Sequence, residues 1–256
     1  MYKLTRRHFI AAGAASVGAA STVLGSKPSE ATVSGGPLYL TIDTGWMNYA
    51  EKMAEILHQR KVVGTCFVAN EATYRDDKTL DDSWADFWRQ RAAEGFRFGS
   101  HTWRHWYFRG DVGTDKVKYV QWGNAQSDVL DAAGVSHELH QPVERIKQLT
   151  GQDWLPLWRA PGGKTTPRVL DFATKAGFHH QGWTEAGFLG DELPSDKYPN
   201  KELLKRALHN IRAGDVLLLH WGIRDREDKF VNILDELLAG LQEKGFKFEH
   251  LPAKQA

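Results

Sequence analysis

The sequence predicts an α/β domain with a parallel sheet curled into a barrel of seven βα units. Three observations carry this expectation. Short apolar runs rich in Val, Ile, Leu and Phe alternate with amphipathic stretches between residues 37 and 251, as in successive βα units. No Pro/Gly/Ser-rich linker interrupts that span. Polar, titratable residues also fall repeatedly at strand C-terminal ends, the face on which such barrels build their sites.

The elements follow in order. Residues 38–43 (LYLTID) read as the first strand, and 46–59 as a helix with Met53, Ile56 and Leu57 at helical spacing. Residues 62–68 form a buried strand, 83–93 a helix and 96–100 a third strand. Residues 104–136 read as a long irregular region. Such a length is functional or hides further elements. A helix over 137–149 ends at Thr150-Gly151, a C-cap signal, and the fourth strand covers 155–159. A helix over 167–176 has proline at its first turn and Gly177 at its end. The fifth strand is 178–183, followed by a helix over 201–212 and the sixth strand over 215–220. The last helix, 228–244, carries Ile233, Leu234, Leu237, Leu238 and Leu241 on one face. The seventh strand is 246–251.

The N-terminus predicts an export segment over residues 1–31. Arg6-Arg7 precede Phe9 and a run of Ala, Gly and Ser over 11–24, which resembles a twin-arginine signal. The run is shorter than the ~20 apolar residues of a spanning helix, so no stable membrane anchor is expected after cleavage. The expected destination is the periplasm or the exterior. The chain of 256 residues has 41% hydrophobic residues and a formal charge of +1, and no nucleic-acid partner is expected. With Cys66 as its only cysteine, the chain can form neither an internal disulfide nor a Cys-based zinc site.

His101 and His105 stand just beyond the third strand. Four residues apart, they would share one face of a helical turn, where two imidazoles can converge on a metal ion. Other strand ends supply Asp43-Thr44-Gly45, Asn70-Glu71, Arg159-Ala160-Pro161-Gly162-Gly163, Trp183 and His220.

These segments resemble the motifs of the polysaccharide deacetylase family, the NodB-homology group of carbohydrate esterase family four. T-I-D-T-G at 41–45 is similar to the family's T-F-D-D-G. H-T-W-R-H at 101–105 matches H-[ST]-x-x-H, R-A-P-G-G at 159–163 matches R-x-P-x-G, and L-L-L-H at 217–220 matches its leucine-rich strand ending in histidine. V-G-T-C-F-V at 63–68 resembles the family's second strand. The resemblance spans residues 37–251. It implies a distorted (β/α)7 barrel that binds a divalent metal, zinc foremost, and removes acetyl groups from N-acetylated glycans. It also implies roles: Asp43 as general base, His101 and His105 as metal ligands, His220 as general acid, and Arg159 as the cation that orients Asp43. Pro161, Gly162, Trp183 and Trp103 are the expected substrate contacts.

The chain departs from the pattern twice. Thr44 stands where the family has its third metal ligand, an aspartate. Three substitutes remain open: Asp43 turns onto the metal, Glu71 supplies the carboxylate, or Thr44 holds a bound water. In the fourth motif, His179-His180-Gln181-Gly182-Trp183 lacks the aspartate that orients the acid histidine. Glu185 is the nearest carboxylate along the chain. Thr44 also supports an alternative, a non-catalytic glycan-binding protein with a degenerate metal site. A third alternative is hydrolysis of another non-peptide C–N bond. Trp84, Trp88, Trp103, Trp106 and Trp122, with Tyr107 and Phe108, either pack the 104–136 region or line a sugar groove. Residues 184–200 are a second candidate groove wall.

Overall fold

Apolar runs at the predicted positions place a parallel sheet at the centre of the chain. The computed structural model describes residues 35–252, so the export segment of residues 1–31 lies outside the described residues. In chain order the elements are β1 (Pro37–Asp43), α1 (Ala50–Gln59), β2 (Thr65–Val68), α2 (Ala85–Ala93) and β3 (Arg97–Ser100). Then come β4 (Tyr107–Val112), β5 (Lys116–Val120), β6 (Ser127–Leu130), α3 (Ala132–Thr150), β7 (Leu157–Trp158) and α4 (Pro167–Lys175). The chain continues with β8 (His179–His180), α5 (Asn200–Asn210), β9 (Val216–His220), α6 (Val231–Glu243) and β10 (Lys247–Phe248).

Seven of these strands form one sheet in the order β10-β1-β2-β3-β7-β8, with β9 paired to β1. All of its pairings are parallel. The strand register aligns Asp43 with Phe67 on β2 and with His220 on β9. The Asp43 carboxylate and His220 therefore leave the sheet side by side. The free edge of β9 is covered by residues 184–188: Thr184 N–H donates to Val216 O (3.2 Å), and Leu218 N–H to Gly187 O (2.9 Å). Phe188 makes a parallel bridge to Leu218. The sheet thus bends round as the expected distorted barrel. Leu38, Leu40, Ile42, Cys66, Val68, Leu217 and Leu219 are buried in the main apolar core beneath α1, α2 and α6.

Local chemistry sets the helix ends. Asp131 caps α3 by accepting from Gly134 N–H (2.9 Å), and Gly151 closes it in the left-handed region. Thr166 caps α4 by accepting from Val169 N–H (3.2 Å), ahead of Pro167 at the first helical position.

The region 104–136 is ordered rather than irregular. β4, β5 and β6 form a separate antiparallel sheet. Lys116-Val117-Lys118-Tyr119 alternates exposed and buried along β5, and Gly113 turns the chain before it with φ +55°. Val117, Tyr119, Phe108 and Leu130 pack with Val135, Leu139 and Val143 of α3. That helix begins at Ala132, not at 137, because Asp131 caps it. The fourth, fifth and seventh strands are shorter than expected: only two residues of each pair in the sheet.

Candidate active site

β1 ends in Asp43, which is 3% exposed beside fully buried Arg159. Arg159 Nη1 donates to Asp43 Oδ1 (2.8 Å) and Nη2 to Thr41 Oγ1 (2.8 Å). Its Nε donates to Gln181 O (3.1 Å) and Nη2 also to Gly182 O (3.2 Å). The guanidinium lies over the Phe67 ring. A buried ion pair is favourable only when such additional bonds satisfy its charges. Here they leave Asp43 Oδ2 as the oxygen free to act.

The two histidines meet, but not on a helical turn. They sit on a loop after β3, with Thr102 at φ +65° and His105 at φ +55°. Those left-handed residues fold the loop back and bring His101 Nε2 to 3.1 Å from His105 Nε2. His101 Nδ1 is 2.9 Å from Arg159 O, and His105 Nδ1 is 3.0 Å from Glu71 Oε1. Carbonyl and carboxylate oxygens only accept, so each Nδ1 carries the proton. Both Nε2 atoms then present lone pairs to one point. Facing at 3.1 Å, they need a cation between them, either a proton on one ring or a metal ion. Asp43 Oδ2 is 3.4 Å from His101 Nε2.

The two imidazoles therefore fit a divalent ion, whereas the third ligand is not preset. Among the described residues, no group of three His, Cys, Asp or Glu side chains already stands in metal-holding geometry. Thr44 and Glu71 are directed elsewhere. Thr44 Oγ1, fully buried, donates to Glu71 Oε2 (2.6 Å) and accepts from Ala69 N–H (3.2 Å). Glu71 Oε2 also accepts from Gly45 N–H (2.9 Å). Glu71 thus holds the outer nitrogen of His105 instead of the metal point, and the Thr44 hydroxyl spends its proton on Glu71. Of the three substitutes for the missing ligand, the geometry favours Asp43.

His220 finds its carboxylate in Asp191, not Glu185. Asp191 Oδ2 accepts from His220 N–H (2.8 Å) and lies 3.1 Å from His220 Nδ1. Asp191 belongs to the 184–200 loop, as does Glu192, whose Oε2 is 3.9 Å from His220 Nε2. No period or motif marks either residue in the sequence. A loop that must return to β9 with a buried acid is the only hint.

Electrostatics separate the three histidines. Burial lowers His101 to a pKa of about 4 despite the Asp43 charge, so it is a neutral acceptor at pH 7. Burial also opposes the charged form of His105, but the Glu71 carboxylate outweighs it and raises that pKa. For His220, burial is overcome by Asp191, which raises it to about 10. Glu71 itself is held below the usual carboxylate range by His105 and Thr44, against the cost of burial. Burial pushes Glu192 upward.

A cleft of about 680 Å³ opens beside this cluster, which reaches it through Glu71, His105 and Glu192; Gly45, Tyr107 and Gly162 also line it. Of the four expected substrate contacts, Gly162 lines it. Its φ is +59°, and a Cβ there would sit 3.2 Å from the Tyr107 ring, so glycine is required for close approach. Trp103 borders a second groove. Pro161 is buried, and Trp183 packs on Gly163 with the Arg159 guanidinium over its ring. Both support the site from behind, outside the cleft lining. The other tryptophans divide: Trp84 and Trp88 are core, and Trp122 is 73% exposed.

Fold and site together define an α/β barrel protein with paired histidines and carboxylates at its strand ends. A polysaccharide deacetylase family model matches residues 30–180, and the chain belongs to that family. It is 24% identical to a peptidoglycan-N-acetylglucosamine deacetylase of Bacillus cereus, over 78% of each chain. It is 21% identical to a chitooligosaccharide deacetylase of Azorhizobium caulinodans, over 84% of this chain and 92% of that one. Among solved structures, a Bacillus anthracis pseudoenzyme of carbohydrate esterase family four, in a mutant form with restored enzymatic activity, superposes with a TM-score of 0.61. The match has 19% identity and covers 86% of this chain and 67% of that one. That likeness shows the fold.

Proposed function

We propose that the protein removes acetyl groups from an N-acetylated glycan, such as peptidoglycan or a chitin-like oligosaccharide, by hydrolysing the amide C–N bond. The observation that supports this is the clustering of Asp43–Arg159, His101–His105 and Asp191–His220 around the ends of β1 and β9, beside a cleft that His105 and Glu192 line. Asp43 Oδ2 takes the proton of the attacking water, with Oδ1 fixed by Arg159. His220 gives a proton from Nε2 to the leaving amine, its charge maintained by Asp191 on Nδ1. Held by His101 Nε2 and His105 Nε2, a divalent ion such as zinc would supply Lewis-acid polarisation of the acetamide carbonyl. Asp43 is also the carboxylate that faces those nitrogens, so ligand and base duties compete for Oδ2. Slow turnover follows.

The test is acetate release from chitooligosaccharides or peptidoglycan fragments. Asp43→Asn should lower it by about 10³-fold, the scale of losing a positioned base. Wild-type protein that frees no acetate from any acetylated glycan would count against the reading. The Thr44–Glu71 pairing favours a second reading, a glycan-binding protein without turnover. That reading requires binding to survive both Asp43→Asn and His101→Ala.

Delivery to the cell envelope belongs to the same proposal and rests on Arg6-Arg7. Changing both to lysine keeps the charge but removes the guanidinium pair. The doubly changed precursor should remain in the cytoplasm, and its normal export would point to the general secretory route.

A further inference from the structure

The site lies where two grooves meet. The cleft of about 680 Å³ shares Glu71, His105 and Trp122 with a second groove of about 410 Å³. That groove runs on past Asn70, Lys78, Trp103 and Trp106. Trp122 stands at the junction. It is the most exposed of the described large hydrophobic side chains, at 73%. Its ring meets Tyr107 in a T-shaped contact, with centroids 5.6 Å apart at 81°, and most of its surface stays open to solvent. Its indole N–H has no hydrogen-bond partner among the described residues, so a sugar hydroxyl can accept from it.

The platform under Trp122 is firm. β5 is pinned by buried Tyr119, whose hydroxyl accepts from Trp106 N–H (3.1 Å) and bonds Thr102 Oγ1 (2.9 Å) and Glu138 Oε2 (3.1 Å). Arg104, next to His105, donates to the same Glu138 from its backbone N–H (3.0 Å) and Nε (2.6 Å). The antiparallel sheet and the histidine loop are thus one mechanical piece. An exposed indole that borders both grooves offers a large apolar surface with a polar N–H beside His105.

We infer that a glycan chain threads both grooves, with its acetamido sugar at His105 and an adjacent sugar ring stacked on Trp122. The site would then favour internal residues of a chain over a free monosaccharide. The inference rests on the reading that the site takes an acetylated glycan.

The test is calorimetric binding of N-acetylglucosamine and of its β-1,4 hexamer to the full chain. An Asp43→Asn background prevents ligand consumption. The hexamer should bind more tightly than the monomer. Adding Trp122→Ala should weaken hexamer binding by about tenfold and leave the monomer unchanged, while Trp122→Phe should restore most of the loss. Trp122 is exposed, so its removal should leave the thermal midpoint in place. Absence of a hexamer preference, an unchanged hexamer affinity in Trp122→Ala, or equal loss for both ligands would overturn the inference. Acetate release by otherwise wild-type protein separates the two claims. Trp122-dependent hexamer binding without acetate release refutes the deacetylase reading alone. Acetate release with a Trp122-independent hexamer affinity refutes this inference alone.

Discussion

Two halves of the site pair histidine with carboxylate and reach opposite ends. At the Asp191–His220 half, the carboxylate meets a single imidazole, and its charge overcomes burial to hold the pKa near 10. At the other half, two imidazoles share the field of Asp43 and Glu71. There burial drives His101 to about 4, and the Glu71 charge reaches mainly His105. One half stores a proton. The other keeps a lone pair available and can accept a cation. The difference lies in how many charges serve each ring and how deeply each is buried, not in residue type.

The largest effect that would break this comparison lies at the paired histidines. His105→Ala should weaken zinc binding at pH 7.5 by at least about 100-fold, since one of two preset nitrogens is lost. Glu71→Gln removes the outer carboxylate and should cost about tenfold. Thr44→Asp alone would set two carboxylates where a 2.6 Å hydrogen bond now stands, so little gain is expected. Combined with Glu71→Gln, it should bind zinc more tightly than wild type and free Asp43 for catalysis. Elemental analysis and competition titration read wild type and all four variants, and equally negligible zinc in wild type and His105→Ala would abolish the metal half.

A smaller effect sharpens the acid half. His220 is raised above its ordinary pKa, so its stabilising contribution is complete below about 6.5 and is lost as pH rises through about 10. The alkaline limb of the rate profile should lie near pH 10. Asp191→Asn removes the charge and should bring that limb down toward neutrality, with about tenfold lower activity at pH 8. An NMR titration of the His220 ring gives the same pKa without turnover. An unmoved limb in the variant would remove Asp191 from its positioning role.

Much of this was legible from the sequence where chemistry sits at a strand end. Asp43, His101, His105, Arg159 and His220 are marked by their motifs and arrive together because parallel strands share one C-terminal face. Two features escaped for different reasons. Asp191 reaches His220 across 29 residues of sequence, from a loop with no period to fix its direction. The histidine spacing suggested a helix, whereas left-handed Thr102 and His105 do the folding, and backbone sign is invisible in a residue pattern. The β4–β6 sheet could have been found: Lys116-Val117-Lys118-Tyr119 has the period of a half-buried strand.

The Thr44–Glu71 hydrogen bond also limits how this chain can change by mutation. Thr44 is sealed from solvent, and its hydroxyl is matched to one particular acid across the strand ends. Thr44→Asp alone sets a buried carboxylate against Glu71, and loss of the acceptor at position 71 leaves the Thr44 hydroxyl unpaired, each costing about 1–3 kcal/mol. The two positions are therefore coupled, and their effects should not add. A chain carrying this pair is not expected to acquire an aspartate at position 44 in one favourable step. It must cross a destabilised intermediate, or change position 71 first and accept a loosened His105 while it waits.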